Sequence, residues 1–237
     1  MPINDIIDGI KVGAELSGIK KHFGDGIRDI RQEFKKFGIE LGSGNKIIQD
    51  WNKVFEAIDK RTYRNDFKIG DCIYCDFGKE GSVIMQIAAF DKDKLANGNG
   101  HAAITWIGKY CLASKREMNE PGFWFGTISN KGGWKDSDMR LSLHDVESEI
   151  EDGLYRRIAY VKKNCIQNDT EDKLWLLSVD EYNEYLETPN INFSTNESFW
   201  LRDSVGRSKF YMSLTSRKVA SIFANVKDGV LVCFCTT

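Results

Sequence analysis

The chain has 237 residues, 41% of them hydrophobic and 12% aromatic, and a formal net charge of −2 from 33 basic and 35 acidic side chains. That much apolar and aromatic material sustains a packed core and excludes a disordered chain. Basic residues form no stripe or block, which speaks against nucleic acid as a partner, and no apolar run nears the roughly 20 residues of a bilayer span.

The first residues lack the basic start and apolar run of a secretion signal. The chain is therefore expected to fold in a cytoplasm, with Cys72, Cys75, Cys111, Cys165, Cys233 and Cys235 as thiols. Phe23, Ile27, Ile30, Phe34, Phe37 and Leu41 recur in steps of four and three, a heptad-like stripe along one helix face. Polar residues from Arg28 to Lys36 fill the opposite face. Such a helix packs on its own domain, or it docks or oligomerises the chain. Gly42-Ser43-Gly44-Asn45 breaks it, and a second helix is predicted over 46–59. The periodicity changes near residue 65. This gives an N-terminal helical attachment or oligomerisation segment, 1–65, and a globular domain, 66–237.

From residue 68 the pattern becomes β-rich. Apolar runs at 68–77 and 82–90, separated by Gly78-Lys79-Glu80-Gly81, predict a hairpin. A third strand follows at 103–111, then the aromatic patch Phe123-Trp124-Phe125. Asp136 or Ser137 offers an N-cap oxygen to a helix burying Met139, Leu143, Val146 and Ile150. Gly153 is expected to break that helix before a shorter one at 154–158. Leu174-Trp175-Leu176-Leu177 reads as a buried strand. Ser178 and Glu181 have the spacing of a capping box, so a helix carrying Tyr182, Tyr185 and Leu186 starts there. The tail returns to strands at 200–202, 210–214, 219–224 and 230–235. Strands at both ends with helices between them make the fold class α+β, and the first and last β segments are expected to lie side by side.

Among groups that could carry chemistry, Cys72-x-x-Cys75 with Cys233-x-Cys235 suggests a four-thiolate zinc site. Residues i and i+3 on a strand face opposite ways, however, and buried thiols commonly act as small hydrophobes. No metal or other cofactor is expected. His22, His101 and His144 sit in separate contexts with no triad spacing. The stretch 202–218 mixes Arg, Lys, Ser, Thr and Tyr along a β region, the residue types of adaptable contact surfaces. Trp200, Arg202, Asp203, Arg207, Lys209, Tyr211, Ser213, Thr215 and Arg217 are its candidate binding residues.

Several short segments, taken in order, resemble a known family. They are Phe90-Asp91-Lys92-Asp93, Ala103-Ile104-Thr105, Cys111-Leu112-Ala113 and Gly132-Gly133-Trp134 with Ser137, Met139 and Arg140. Thr170-Glu171-Asp172-Lys173-Leu174-Trp175-Leu176-Leu177-Ser178, Phe199-Trp200-Leu201-Arg202, Asp228-Gly229-Val230 and Cys233-Phe234-Cys235 complete the series. From about residue 67 onward the chain is similar to the C-type-lectin-like domains related to the formylglycine-generating-enzyme fold. These are common in Firmicutes phages, prophages and gut bacteria, often on tail fibres or other virion appendages. The resemblance implies a non-enzymatic virion structural protein, made in a bacterial cytoplasm. Its residues after Trp200-Leu201-Arg202 would face a host-surface glycan or protein, and segment 1–65 would join it to other virion proteins as a homotrimer. No E-P-N, Q-P-D or W-N-D signature is present, so calcium-dependent sugar binding is not implied. Two other readings stay open: a cytoplasmic interaction module, and a metal-dependent enzyme related to the formylglycine-generating fold.

Overall fold

A computed structural model describes residues 45–121, 129–165, 169–193 and 197–237. The chain divides into two units, Met1–Gly44 and Asn45–Thr237. The stripe Phe23 to Leu41 and the patch Phe123-Trp124-Phe125 lie outside the described residues. The unit from Asn45 is α+β, with five α-helices and three antiparallel sheets among the described residues. No helix among them is long and apolar enough to cross a membrane.

The main sheet contains β1 (Cys72–Asp76), β2 (Ser82–Phe90), β3 (Ile104–Gly108), β6 (Leu174–Trp175) and β10 (Cys233–Thr236), in the order β1-β2-β3-β10-β6. β1 and β2 form the predicted hairpin, joined through a 3-10 turn at Gly78–Glu80. The last strand does not lie beside the first. β2 and β3 intervene, a separation of about 14 Å at the usual strand spacing. β10 pairs instead with β3 on one side and β6 on the other.

Helix α1 (Trp51–Asp59) begins on Asp50, whose carboxylate accepts the Lys53 N–H. Its apolar stripe closes one face of the main sheet. The Trp51 ring meets Trp106 edge-on at 5.0 Å and lies 5.8 Å from Phe234, and its indole N–H donates to the Tyr74 carbonyl at 3.0 Å. The boundary expected near residue 65 thus falls about twenty residues too late. Periodicity identifies an amphipathic helix but does not name the surface it covers. Trp51→Ala removes those ring contacts and the hydrogen bond. It should lower unfolding free energy by about 2–3 kcal/mol, read from the urea midpoint.

Helix α2 (Tyr63–Asp66) is a single turn. Ser137, not Asp136, caps α3 (Asp138–Glu147), accepting the Arg140 N–H. Met139, Leu143 and Val146 face the core as predicted, while Ile150 is buried beyond the helix end. Gly153 lies inside α4 (Asp152–Tyr155) rather than breaking a helix, and α4 ends before the predicted 158. Two short paired strands, β4 (Val161–Lys163) and β5 (Thr170–Asp172), were not expected from the sequence. The capping box forms as predicted and starts α5 (Val179–Glu187). Beyond it, β7 (Phe199–Val205), β8 (Lys209–Ser213) and β9 (Val219–Phe223) make a three-stranded meander.

Candidate recognition face and the charge network beneath it

On the meander, alternation puts Lys209 and Tyr211 of β8 on one face with their cross-strand neighbours Phe223 and Ser221 of β9. Phe210 and Met212 point the other way, into the core. At one end of the outer face, α5 closes over it. Tyr182 packs edge-on against Phe199, and its hydroxyl accepts from Ser213 Oγ at 2.7 Å. At the other end the face stays open. Phe223 is 47% exposed, and the Lys209 ammonium sits 4.8 Å above its ring. Arg207 occupies the exposed β7–β8 turn, whose position is fixed by Asn130: Nδ2 donates to the Gly206 carbonyl and the backbone N–H to the Arg207 carbonyl.

The candidate residues therefore divide. Arg207, Thr215 and Arg217 are exposed in the two turns, and Lys209 and Tyr211 are half-buried on the open face. Trp200, Arg202 and Ser213 do not belong to the surface, because all three are buried. Trp200 is a core ring whose indole N–H donates to the Arg116 carbonyl at 2.9 Å. Asp203 accepts the first N–H of α5, from Val179, at 2.7 Å. Its burial pushes its carboxyl up, against the pull of that hydrogen bond and of Arg202. Phe223 and Ser221 were missed. Only the strand register, which brings them opposite Lys209 and Tyr211, identifies them.

Below the meander, against the other face of the main sheet, lies a buried charge network. Lys163 at the end of β4 pairs with Asp93, from the segment after β2, and with Glu181 of α5 at 3.1 Å. Glu181 also pairs with Arg202 of β7. The Arg202 guanidinium further donates to the Leu176 carbonyl at 2.9 Å and the Asn164 carbonyl at 3.3 Å. Asp93 Oδ2 accepts from Thr105 Oγ1 of β3 at 2.6 Å and from Cys235 Sγ of β10 at 3.3 Å. The Lys163 ammonium stands 3.9 Å over the Trp175 ring of β6. Burial opposes the charge on Glu181, but Lys163 and Arg202 outweigh it and hold the carboxyl at about 2. Burial likewise opposes the Lys163 charge, yet Glu181 and Asp93 raise its pKa.

A second node holds the Gly132-Gly133-Trp134 segment to the rest. Asp172 of β5 is fully buried. It accepts from Trp134 Nε1 at 3.0 Å, Arg140 Nε at 2.6 Å and Thr170 Oγ1 at 2.6 Å. Asp93, Lys163, Glu181 and Asp172 were absent from the candidate site residues, since nothing local in the sequence marks a charged residue as buried.

The cysteine pairs do not converge. Cys72 and Cys75 sit on β1 at the sheet edge, Cys233 and Cys235 on β10, with two strands between. Burial pushes Cys72 up to about 11 and holds Cys75, Cys233 and Cys235 well above the ordinary thiol value. Two adjoining surface hollows, about 620 and 280 Å³, flank the segment from Lys94 to His101, the larger reaching Tyr160, Glu171 and Thr237. Compared with protein-family models, curated proteins and solved structures, the chain matches none.

Proposed function

We propose that the chain is a non-enzymatic virion structural protein of a phage or prophage. On this reading, its Asn45–Thr237 unit is a C-type-lectin-like domain that offers the open face of the β7–β9 meander to a host-surface glycan or protein. The carrying observation is the meeting of the ordered segments in two buried nodes. Asp93, Thr105, Arg202 and Cys235 share the Lys163–Glu181 network, while Trp134, Arg140, Thr170 and Asp172 share the other. Segments far apart in sequence thus meet in each node, as expected if the series specifies a single fold. The strand topology departs from the expected one, because the terminal strand β10 lies beside β3 and β6 and not beside β1. β3 precedes α3 and α5 but follows α1, and the β1–β2 hairpin extends the sheet at its edge.

Lys209, Tyr211, Ser221 and Phe223, with Arg207 beside them, supply an aromatic pair, two cations and a hydroxyl on a rigid sheet. Aromatic and arginine anchors carry most of the energy in recognition surfaces. Attachment as a trimer through the residues before Asn45 would multiply a weak single contact by avidity.

Antibody against the Asn45–Thr237 unit should decorate particles purified from a host carrying the gene. Finding the chain only in the soluble fraction, never on particles, would overturn the virion reading. The double variant Tyr211→Ala, Phe223→Ala should bind host cells roughly tenfold more weakly, with the thermal midpoint shifting by only a few degrees. Unchanged binding would move the contact surface elsewhere.

A further inference from the structure

The buried network holds more than a salt bridge requires. An amine, a carboxyl carbon, hydrogen-bond donors for that carboxyl's second oxygen and a separate carboxylate on the amine are brought together on five different elements, with the amine and its carboxyl partner largely shielded from water and the separate carboxylate 17% exposed. Lys163 and Asp93 have side chains only 3% and 8% exposed. We propose that Lys163 and Asp93 condense to an intramolecular amide, a covalent cross-link between β4 and the segment that follows β2. This inference does not rest on the recognition reading.

The geometry assigns every atom. Lys163 Nζ contacts Asp93 Oδ1 and bonds to Cγ, and the Cγ–Oδ1 bond breaks. Oδ2 keeps its hydrogen bonds from Thr105 and Cys235, which stabilise the negative charge that grows on it in the tetrahedral intermediate. The ammonium supplies both protons of the departing water. One passes directly to Oδ1, and the other passes through Glu181 Oε1, 3.1 Å from Nζ. No oxidant or other reactant is needed, and Glu181 ends as it began. In the product the amide carbonyl accepts from Thr105 and Cys235, and the single remaining N–H donates to Glu181, so every polar atom stays partnered.

Two physical effects favour the step. Fixed neighbours react with effective concentrations of roughly 10⁵–10⁸ M, which offsets the cost of amide formation in water. Condensation also removes two charges from a poorly solvated interior, while Glu181 and Arg202 remain as a neutral pair. The ammonium must shed a proton before Nζ can bond to Cγ, and Glu181 Oε1 is within reach to take it.

The test is the intact mass of the folded full-length chain, followed by peptide mapping. The expected mass is lighter than the sequence by one water, with Asp93 and Lys163 recovered in one branched peptide. Lys163→Arg should restore the sequence mass, and Glu181→Gln should lower the linked fraction about tenfold. Wild-type protein at its sequence mass overturns the proposal without any variant having to fold. So does a water loss confined to a single linear peptide, the signature of a succinimide. Linkage persisting undiminished in Glu181→Gln overturns the proton relay.

Discussion

Asp172→Ala is expected to destabilise the Asn45–Thr237 unit by about 3–5 kcal/mol, seen as a fall in the urea midpoint at unchanged slope. Asp172 is 1% exposed and receives an indole N–H, a guanidinium and a hydroxyl. Its removal strands the buried Trp134 and Thr170 donors and leaves the partly exposed, fully charged Arg140 guanidinium without its carboxylate. Asp172→Asn keeps an acceptor oxygen but loses the charge facing Arg140, so its cost should be smaller, about 1–3 kcal/mol. The ordering Ala worse than Asn separates a polar node from simple filling of space. Equal losses in the two variants would contradict it.

Glu181→Ala should be comparably damaging, about 3–5 kcal/mol by the same measurement. That carboxylate compensates Lys163 and Arg202, and it also accepts the Ser178 N–H that closes the capping box. A double cycle with Arg202→Met tests the pairing. The two losses should sum to clearly more than the double variant's, since each single change leaves an uncompensated buried charge. The pH dependence follows from the same contacts. Glu181 is held at about 2 in the folded state, against 4.5 for an ordinary glutamate. Its contribution is therefore complete above pH 4.5 and is lost as pH falls towards 2. Glu181→Gln should flatten that acid limb of the stability curve. An unaltered limb would assign the acid sensitivity to other carboxylates.

What the sequence made legible was local. The Ser178–Glu181 box, the Ser137 cap, the 78–81 turn and the buried stripe of α3 each depend on neighbours within a few residues, and each forms. Three features depended on distant partners and were not legible. Strands β4 and β5 carry Lys163 and Asp172 at core positions, so their alternation read as polar. Arg202 looked like surface chemistry because its partner, Glu181, was already accounted for by the helix cap. Helix α1 was predicted as a helix, but the rings it covers, Trp106 and Phe234, lie far along the chain. The open meander face was half legible. Its β8 side chains were named, and its β9 side chains needed the register.

The placement of the thiols has a practical use. Cys72, Cys75, Cys233 and Cys235 are sealed in the main sheet, while Cys111 and Cys165 are only half covered. A maleimide dye added to native protein should thus modify two positions quickly and the other four at the rate at which the sheet opens. The same six sulfurs then provide two attachment points for spectroscopic labels and a built-in clock for unfolding.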